Sequence, residues 1–329
     1  MNLRTTRTLA ALVTALIVDV HAADGGLPGP VVNAQWLASH LDQVTVLDVR
    51  SDVDAFTGTP EFEANEKTGA KTLVTVAGHI PKALLVDFDR TRSPRMIGGR
   101  KVEKMLPEKA AFEAVMQEAG LSAGQSIVIT ANGQTVDEMD MAARLYWSLK
   151  VYGEDRIAIL DGGDAGWLAA GQTLVSDKPV TTRGDWKATA ERRELLAEAT
   201  DVEKAAAAKV QLVDARPLPQ YAGLTFKKPL VTAGGHIGGA RNLPTDVHTK
   251  AAGGAQIFLT PAEYRGMMAL QGIDPEAPSI SYCNTGHLAS GAWFVMSEVL
   301  GNRSVKLYDG SMHDWTHSGH PVVSLATGG

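Results

Sequence analysis

The sequence predicts two α/β domains, each a parallel sheet flanked by helices, on three grounds. The first is an ordered internal duplication: Val46-Leu47-Asp48-Val49-Arg50 recurs as Leu212-Val213-Asp214-Ala215-Arg216. Gly78-His79-Ile80-Pro81-Lys82-Ala83 recurs as Gly235-His236-Ile237-Gly238-Gly239-Ala240, and Leu160-Asp161-Gly162-Gly163 with Trp167 recurs as Tyr308-Asp309-Gly310-Ser311 with Trp315. All three pairs keep their order, as a gene duplication requires. The second ground is the alternation, within each repeat, of short β-branched runs with helix-like stretches, which implies a parallel sheet covered on both faces. The third is size: 329 residues, 44% hydrophobic, divide into two ordinary domains with cores of their own.

In chain order, residues 1–23 read as a cleaved secretory signal. Arg4 and Arg7 precede an apolar run over 9–18, and Val20-His21-Ala22 has the small residues a signal peptidase reads. Asp19 interrupts that run, which is too short for a membrane span of roughly 20 residues. The expected location is the periplasm or the cell exterior. The first domain is assigned to residues 28–175, with strands at 44–49, 126–130 and 156–160 and helices at 108–119 and 139–151. A linker is assigned to 176–195, which contains Pro179, Thr181, Thr182 and Gly184 among many charges. The second domain takes residues 196–325; its strand at 279–282 precedes a helix carrying Ala289, Ala292, Phe294, Val295 and Val299.

The net charge of −6, with basic residues scattered along the chain, argues against nucleic acid or an anionic membrane as partner. Cys283 is the only cysteine, so no internal disulfide can form. It stands where the 279–282 strand meets the next helix. Turn amides and the positive helix end there favour a thiolate and lower its pKa, which makes a nucleophile. A buried, inert thiol is the alternative. Gly286 lacks a Cβ and can take the positive φ that lets the loop curl round the sulfur.

These motifs in this order resemble the rhodanese family of sulfurtransferases, in its tandem-domain type with thiosulfate and 3-mercaptopyruvate sulfurtransferases, over residues 30–322. The resemblance implies that Cys283 accepts a sulfane sulfur as a persulfide and passes it to cyanide or a thiol. Asn284, Thr285, Gly286, His287, Leu288 and Ala289 would cradle that sulfur, with Asp214 and Arg216 supporting. No metal and no organic cofactor are implied. The donors are thiosulfate first and 3-mercaptopyruvate second, and a thioredoxin-like or other protein acceptor is a further candidate partner. The first domain, which has no thiol, would be the inactive one.

Departures from the family pattern matter as much. Thiosulfate-type loops carry basic residues, whereas mercaptopyruvate-type loops carry small ones; Thr285-Gly286 is closer to the second, and Asn284 and His287 fit neither. Where the family places a substrate-binding Arg before an aromatic residue, this chain has Gln220 before Tyr221. Anion recognition is therefore weakened or moved, and His287, protonated beside a dianionic donor, is the candidate replacement. The rival reading is a non-enzymatic, exported persulfide carrier fed by a partner protein.

Further expectations concern the remaining motifs. Asp-x-Arg is read as a structural ion pair, and His79 and His236 as fold-supporting, because the thiol-less copy keeps its histidine. His313, His317 and His320 are read as surface residues, since their spacing fits no common metal site. Trp167 and Trp315 are read as core aromatics. The first domain's loop, 131–138, should be about four residues longer than its counterpart, with Asp137 and Glu138 in a scaffolding role. A cysteine phosphatase needs an Arg six positions after its nucleophile, where this chain has Ala289. A papain-like hydrolase would need a paired His and a peptide cleft.

Overall fold

The structure is a computed structural model that describes residues 26–325 apart from 70 and 180. The expected signal segment lies outside these residues. Among the described residues no helix is long and apolar enough to cross a membrane.

The first sheet consists of β1 (Val31–Val32), β2 (Val44–Arg50), β5 (Leu84–Asp87), β8 (Ser126–Thr130) and β9 (Ile157–Leu160). Its order is β1-β9-β8-β2-β5, parallel throughout. Between these strands lie the hairpins β3 (Glu61–Ala64) with β4 (Lys71–Thr75) and β6 (Ser93–Ile97) with β7 (Arg100–Met105). The second sheet repeats the plan as β10-β16-β15-β11-β12, from β10 (Leu196–Ala197), β11 (Gln211–Asp214), β12 (Arg241–Asn242), β15 (Ser279–Tyr282) and β16 (Val305–Tyr308). Its hairpin is β13 (Thr249–Ala252) with β14 (Ala255–Phe258).

Helices cover both faces. α1 (Ala34–His40) and α4 (Gly163–Ala169) take one face of the first sheet, and α2 (Lys109–Glu118) and α3 (Val136–Val151) the other. Strand alternation sorts the side chains: Val44 and Val46 join the α1 side with Trp167, whereas Leu47 and Val49 join the α3 side with Phe112 and Met116. In the second domain α5 (Ala199–Lys204) and α9 (Ser311–His317) pack outside, with Trp315 buried there. The short α6 (Leu218–Tyr221) follows β11, and α7 (Pro261–Leu270) and α8 (His287–Phe294) take the inner face. The inner cores of the two domains merge: Leu145, Trp147, Trp293 and Phe294 belong to one cluster, formed where α3 meets α8. The domains thus share a core.

The stretch expected to link the domains is packed rather than loose. Gly184, Trp186, Thr189 and Arg192 donate backbone hydrogen bonds to Gln117, Leu121, Tyr152 and Val151, and Trp186 is buried against Phe112.

Helix α3 begins three residues before the expected 139, because Thr135 and Glu138 close a capping box. The predicted difference in loop length also needs correction. The loop between β8 and α3 is 131–135, against 283–286 in the second domain, so only one of the four extra residues lies in the loop. The other three lengthen α3 relative to α8 and the π turn Val295–Val299 that continues it.

Candidate active site

Cys283 sits at the carboxyl end of β15, 1% exposed, in front of α8. Its backbone is pinned on both sides: its N–H donates to Ser311 Oγ at 3.1 Å, and its carbonyl accepts from Met312 N at 3.0 Å. Ser311 itself is held at φ +51°, a left-handed conformation that costs free energy outside glycine. Gly286 caps α8 at φ +81°. A Cβ there would lie 2.4 Å from Asp309 Oδ1 and 2.6 Å from Arg144 Nη1, so both conformation and space demand glycine.

The predicted thiolate activation needs correction. Burial pushes the Cys283 thiol above its ordinary value, because an anion at this depth loses its hydration. The N–H groups of Ala289, Thr285 and Gly286 pull it back down, Asp214 adds to the rise, and the balance is upward. The expected cradle is therefore present, but it only partly offsets burial. Because a raised pKa keeps the proton on at neutral pH, the thiolate fraction should grow as pH rises. Alkylation by iodoacetamide should follow a midpoint above that of a free cysteine, about 8.5; a rate already at its plateau at neutral pH would overturn this.

The other predicted residues are distributed as follows. Asn284 and Thr285 are buried, Gly286 caps the helix, and Ala289 faces the inner core with Leu288 packed against it. Asp214 and Arg216 are both 0% exposed and joined at 2.6 Å, and Arg216 Nη2 donates to Gly235 O at 2.8 Å. Arg50 bonds Asp48 and Gly78 O in the same way in the thiol-less domain, so the pair is a fold element. His79 and His236 likewise stack on Phe56 and Tyr221, and each forms a β-bridge, to Val175 and Val323. The two departures at 220 and 284 meet: Asn284 Nδ2 donates to Gln220 Oε1 at 2.8 Å.

His287 does not supply the missing positive charge. Burial, followed by Arg92 and Arg144, holds its pKa well below the ordinary imidazole value, so it is neutral. Its Nε2 lies 3.1 Å from Asp137 O, and its ring lies 4.8 Å from Phe88. His313 is corrected too: it is 4% exposed, with Nδ1 2.6 Å from Leu230 O, because α9 turns it under that loop.

Around the sulfur lies a cleft of about 440 Å³ at the domain interface. The second domain lines it with Cys283, Gln220 and Lys227, and the first with Arg92, Lys104 and Asp137. Sequence reasoning missed these cations, and it missed how the hairpins exchange. At the end of β7, Leu106 N donates to Asp309 Oδ2 at 2.6 Å; at the end of β14, Phe258 N donates to Asp161 Oδ1 at 2.8 Å. Each domain's hairpin thus braces the other's Asp-Gly turn. The tips, Gly98-Gly99 and Gly253-Gly254, are paired glycines at positive φ, as tight hairpin turns require. That repeated Gly-Gly was the legible signal.

The thiol-less loop cannot serve the same chemistry. Glu138 Oε2 takes the N–H groups of Gln134 and Thr135 at 2.9 and 2.8 Å, so the donors that would face a sulfur are occupied. Glu138 is scaffolding, as expected, but Asp137 belongs to the other domain's cleft, where burial raises its pKa.

A site of this kind, one thiol behind a tight loop at a helix start and two copies of one α/β plan, defines a class. The chain belongs to the rhodanese-like family: the model of the rhodanese-like domain matches residues 33–170 and again 198–318. Within that family it is a sulfurtransferase. It is similar to the thiosulfate sulfurtransferase of Cricetulus griseus, with 27% identity covering 76% of this chain and 81% of the relative. The sulfur carrier protein TtuD of Thermus thermophilus is also 27% identical, over 88% and 94% of the two chains. Among solved structures, the 3-mercaptopyruvate sulfotransferase SseA of Escherichia coli is 26% identical with a TM-score of 0.66, over 86% of this chain and 98% of that one.

Proposed function

We propose that the protein moves a sulfane sulfur from a small anionic donor, thiosulfate first and 3-mercaptopyruvate next, through a Cys283 persulfide to cyanide or a thiol. The observation that carries this reading is the lone thiol under the converging N–H groups of Thr285, Gly286 and Ala289, opening on a cation-lined cleft. Cys283 reacts as the thiolate once its proton is released to water. It attacks the outer sulfur of thiosulfate; the S–S bond of the donor breaks, and sulfite leaves with the electron pair. The persulfide's terminal charge then rests on the loop amides. A thiolate or cyanide attacks the outer sulfur, and Cys283 leaves as thiolate. Asp214 and Arg216 hold the loop's base. Export to the periplasm or beyond, in keeping with the amino-terminal segment, is part of the proposal.

The test is the intact mass of the protein after exposure to each donor separately. A gain of one sulfur atom, removed by cyanide, is the expected outcome. If neither donor adds sulfur, the small-donor reading fails. The second reading, a carrier loaded by a partner protein, has support in the TtuD relative and in the Gln220–Asn284 pair. A persulfide that forms but turns over slowly with small acceptors would favour it.

A further inference from the structure

We infer that Arg92 and Lys104 of the thiol-less domain, with Lys227, form the anion subsite that seats the oxyanion end of the sulfur compound reacting at Cys283. This inference rests on the sulfurtransfer reading and deepens it. The position before Tyr221, where the family pattern has an arginine, holds Gln220, which is engaged with Asn284. The positive charge in the cleft comes from across the domain interface instead.

Arg92 is a built element rather than a surface cation. Its side chain is 7% exposed, its guanidinium lies 3.8 Å from the Phe88 ring centre, and Nη2 holds Asp89 at 2.7 Å. Nε is buried and has no partner among the described residues. A buried donor without a partner is costly, and an anionic ligand would satisfy it. Phe88 in turn touches His287, so the guanidinium is tied to the loop that holds the thiol.

Lys104 supplies the second, independent observation. It sits at φ +60° in the bulge where β6 and β7 shift register between Ser93 and Arg95, which turns it out of the ladder, and it makes no ion pair among the described residues. All three cations line the one cleft, and burial first, then the charges of Arg92 and Lys227, lower the Lys104 pKa. Asp137 and Asp246 line the same cleft; burial raises the Asp137 pKa while Lys227 and Arg92 hold it down, so a bound anion shares these cations with it. A cleft of about 440 Å³ lies within the range of roughly 300–1,000 Å³ that takes organic ligands. Both a sulfonate and a carboxylate fit this chemistry, so the experiment must separate them.

Thiosulfate and 3-mercaptopyruvate are compared as donors, with cyanide as acceptor, in Arg92→Met, Lys104→Met and Lys227→Met proteins. The donor's KM should rise on the order of tenfold for Arg92→Met and for Lys104→Met, with kcat within about threefold, as expected when uniform binding is lost. Arg92→Lys should recover part of the loss. The donor whose KM responds more identifies the oxyanion. Alkylation by uncharged iodoacetamide should not change in any variant. Unchanged KM for both donors, or a fall in kcat alone, overturns the assignment. If the wild type takes sulfur from neither donor, the sulfurtransfer reading fails; titration calorimetry of thiosulfate and pyruvate into Cys283→Ser and Cys283→Ser/Lys104→Met proteins then decides the subsite by itself. Binding that Lys104→Met does not weaken removes it.

Discussion

Replacing Cys283 with serine should abolish sulfur transfer while leaving the fold intact. A hydroxyl at this depth stays protonated across the working pH range, and its oxygen cannot form the S–S bond on which the sulfur travels. Rescue within the chain is impossible, because there is no other cysteine. A loss of at least about a thousandfold in kcat/KM is expected, the usual scale for removing a nucleophile. The change in stability should stay near or below about 1 kcal/mol, since the side chain keeps nearly its volume and the backbone bonds of Cys283 are untouched. Turnover with thiosulfate and cyanide, beside a denaturant melt, measures both. Residual transfer within tenfold of the wild type would show that the sulfur moves by another route.

The second large effect is structural and crosses the domain interface. Arg144 lies on α3 of the first domain at 0% exposure, yet its Nη1 bonds Asp309 Oδ1 at 2.5 Å and Gly286 O at 3.2 Å in the second. Its guanidinium also lies 4.7 Å from the Trp147 ring centre. Arg144→Met leaves Asp309 as a buried carboxylate without its counter-ion, and breaking a buried pair from one side costs about 3–5 kcal/mol. That is a large share of the roughly 5–15 kcal/mol by which a domain is stable. Leu106 N would still donate to Asp309, which softens the loss without restoring charge balance. Arg144→Met/Asp309→Asn should recover part of the stability, because no charge is then stranded. The unfolding free energies of the two variants and the wild type test this; a change below about 1 kcal/mol for the single variant would mean that the pair is not coupled to the fold. Because Gly286 loses a carbonyl contact, persulfide loading should slow as well.

How far the chain could be read in advance depends on the range of the interaction involved. The strands at 126–130 and 279–282 came out as expected, because short strand-like runs ending at a turn are local signals, and both are buried on both faces as central parallel strands are. Asp-x-Arg was read as structural from its place at a buried strand end, and the buried pairs at Arg50 and Arg216 agree with it; the comparison of two copies within one chain gave the reading of His79 and His236. The reading of His287 failed for the opposite reason. From sequence it was a charge candidate beside an anion, whereas burial and the cations Arg92 and Arg144, the latter 143 positions earlier in the chain, hold it neutral. The thiol pKa failed similarly, since helix and amide effects are visible in a motif but depth of burial is not.

The duplication, the alternation of strands and helices, the place of Cys283 before α8 and the need for glycine at 286 all follow from the order of residues, because each rests on backbone geometry over a few positions. Chain folding alone decided that the thiol-less domain would brace the loop with Arg144 and line the cleft with Arg92 and Lys104. Those side chains reach the sulfur's surroundings only because α3 packs on α8 and the β6–β7 hairpin crosses to Asp309. Charges that are scattered along the sequence converge there because two similar domains bury their inner faces against each other, and no periodicity in the sequence records that meeting.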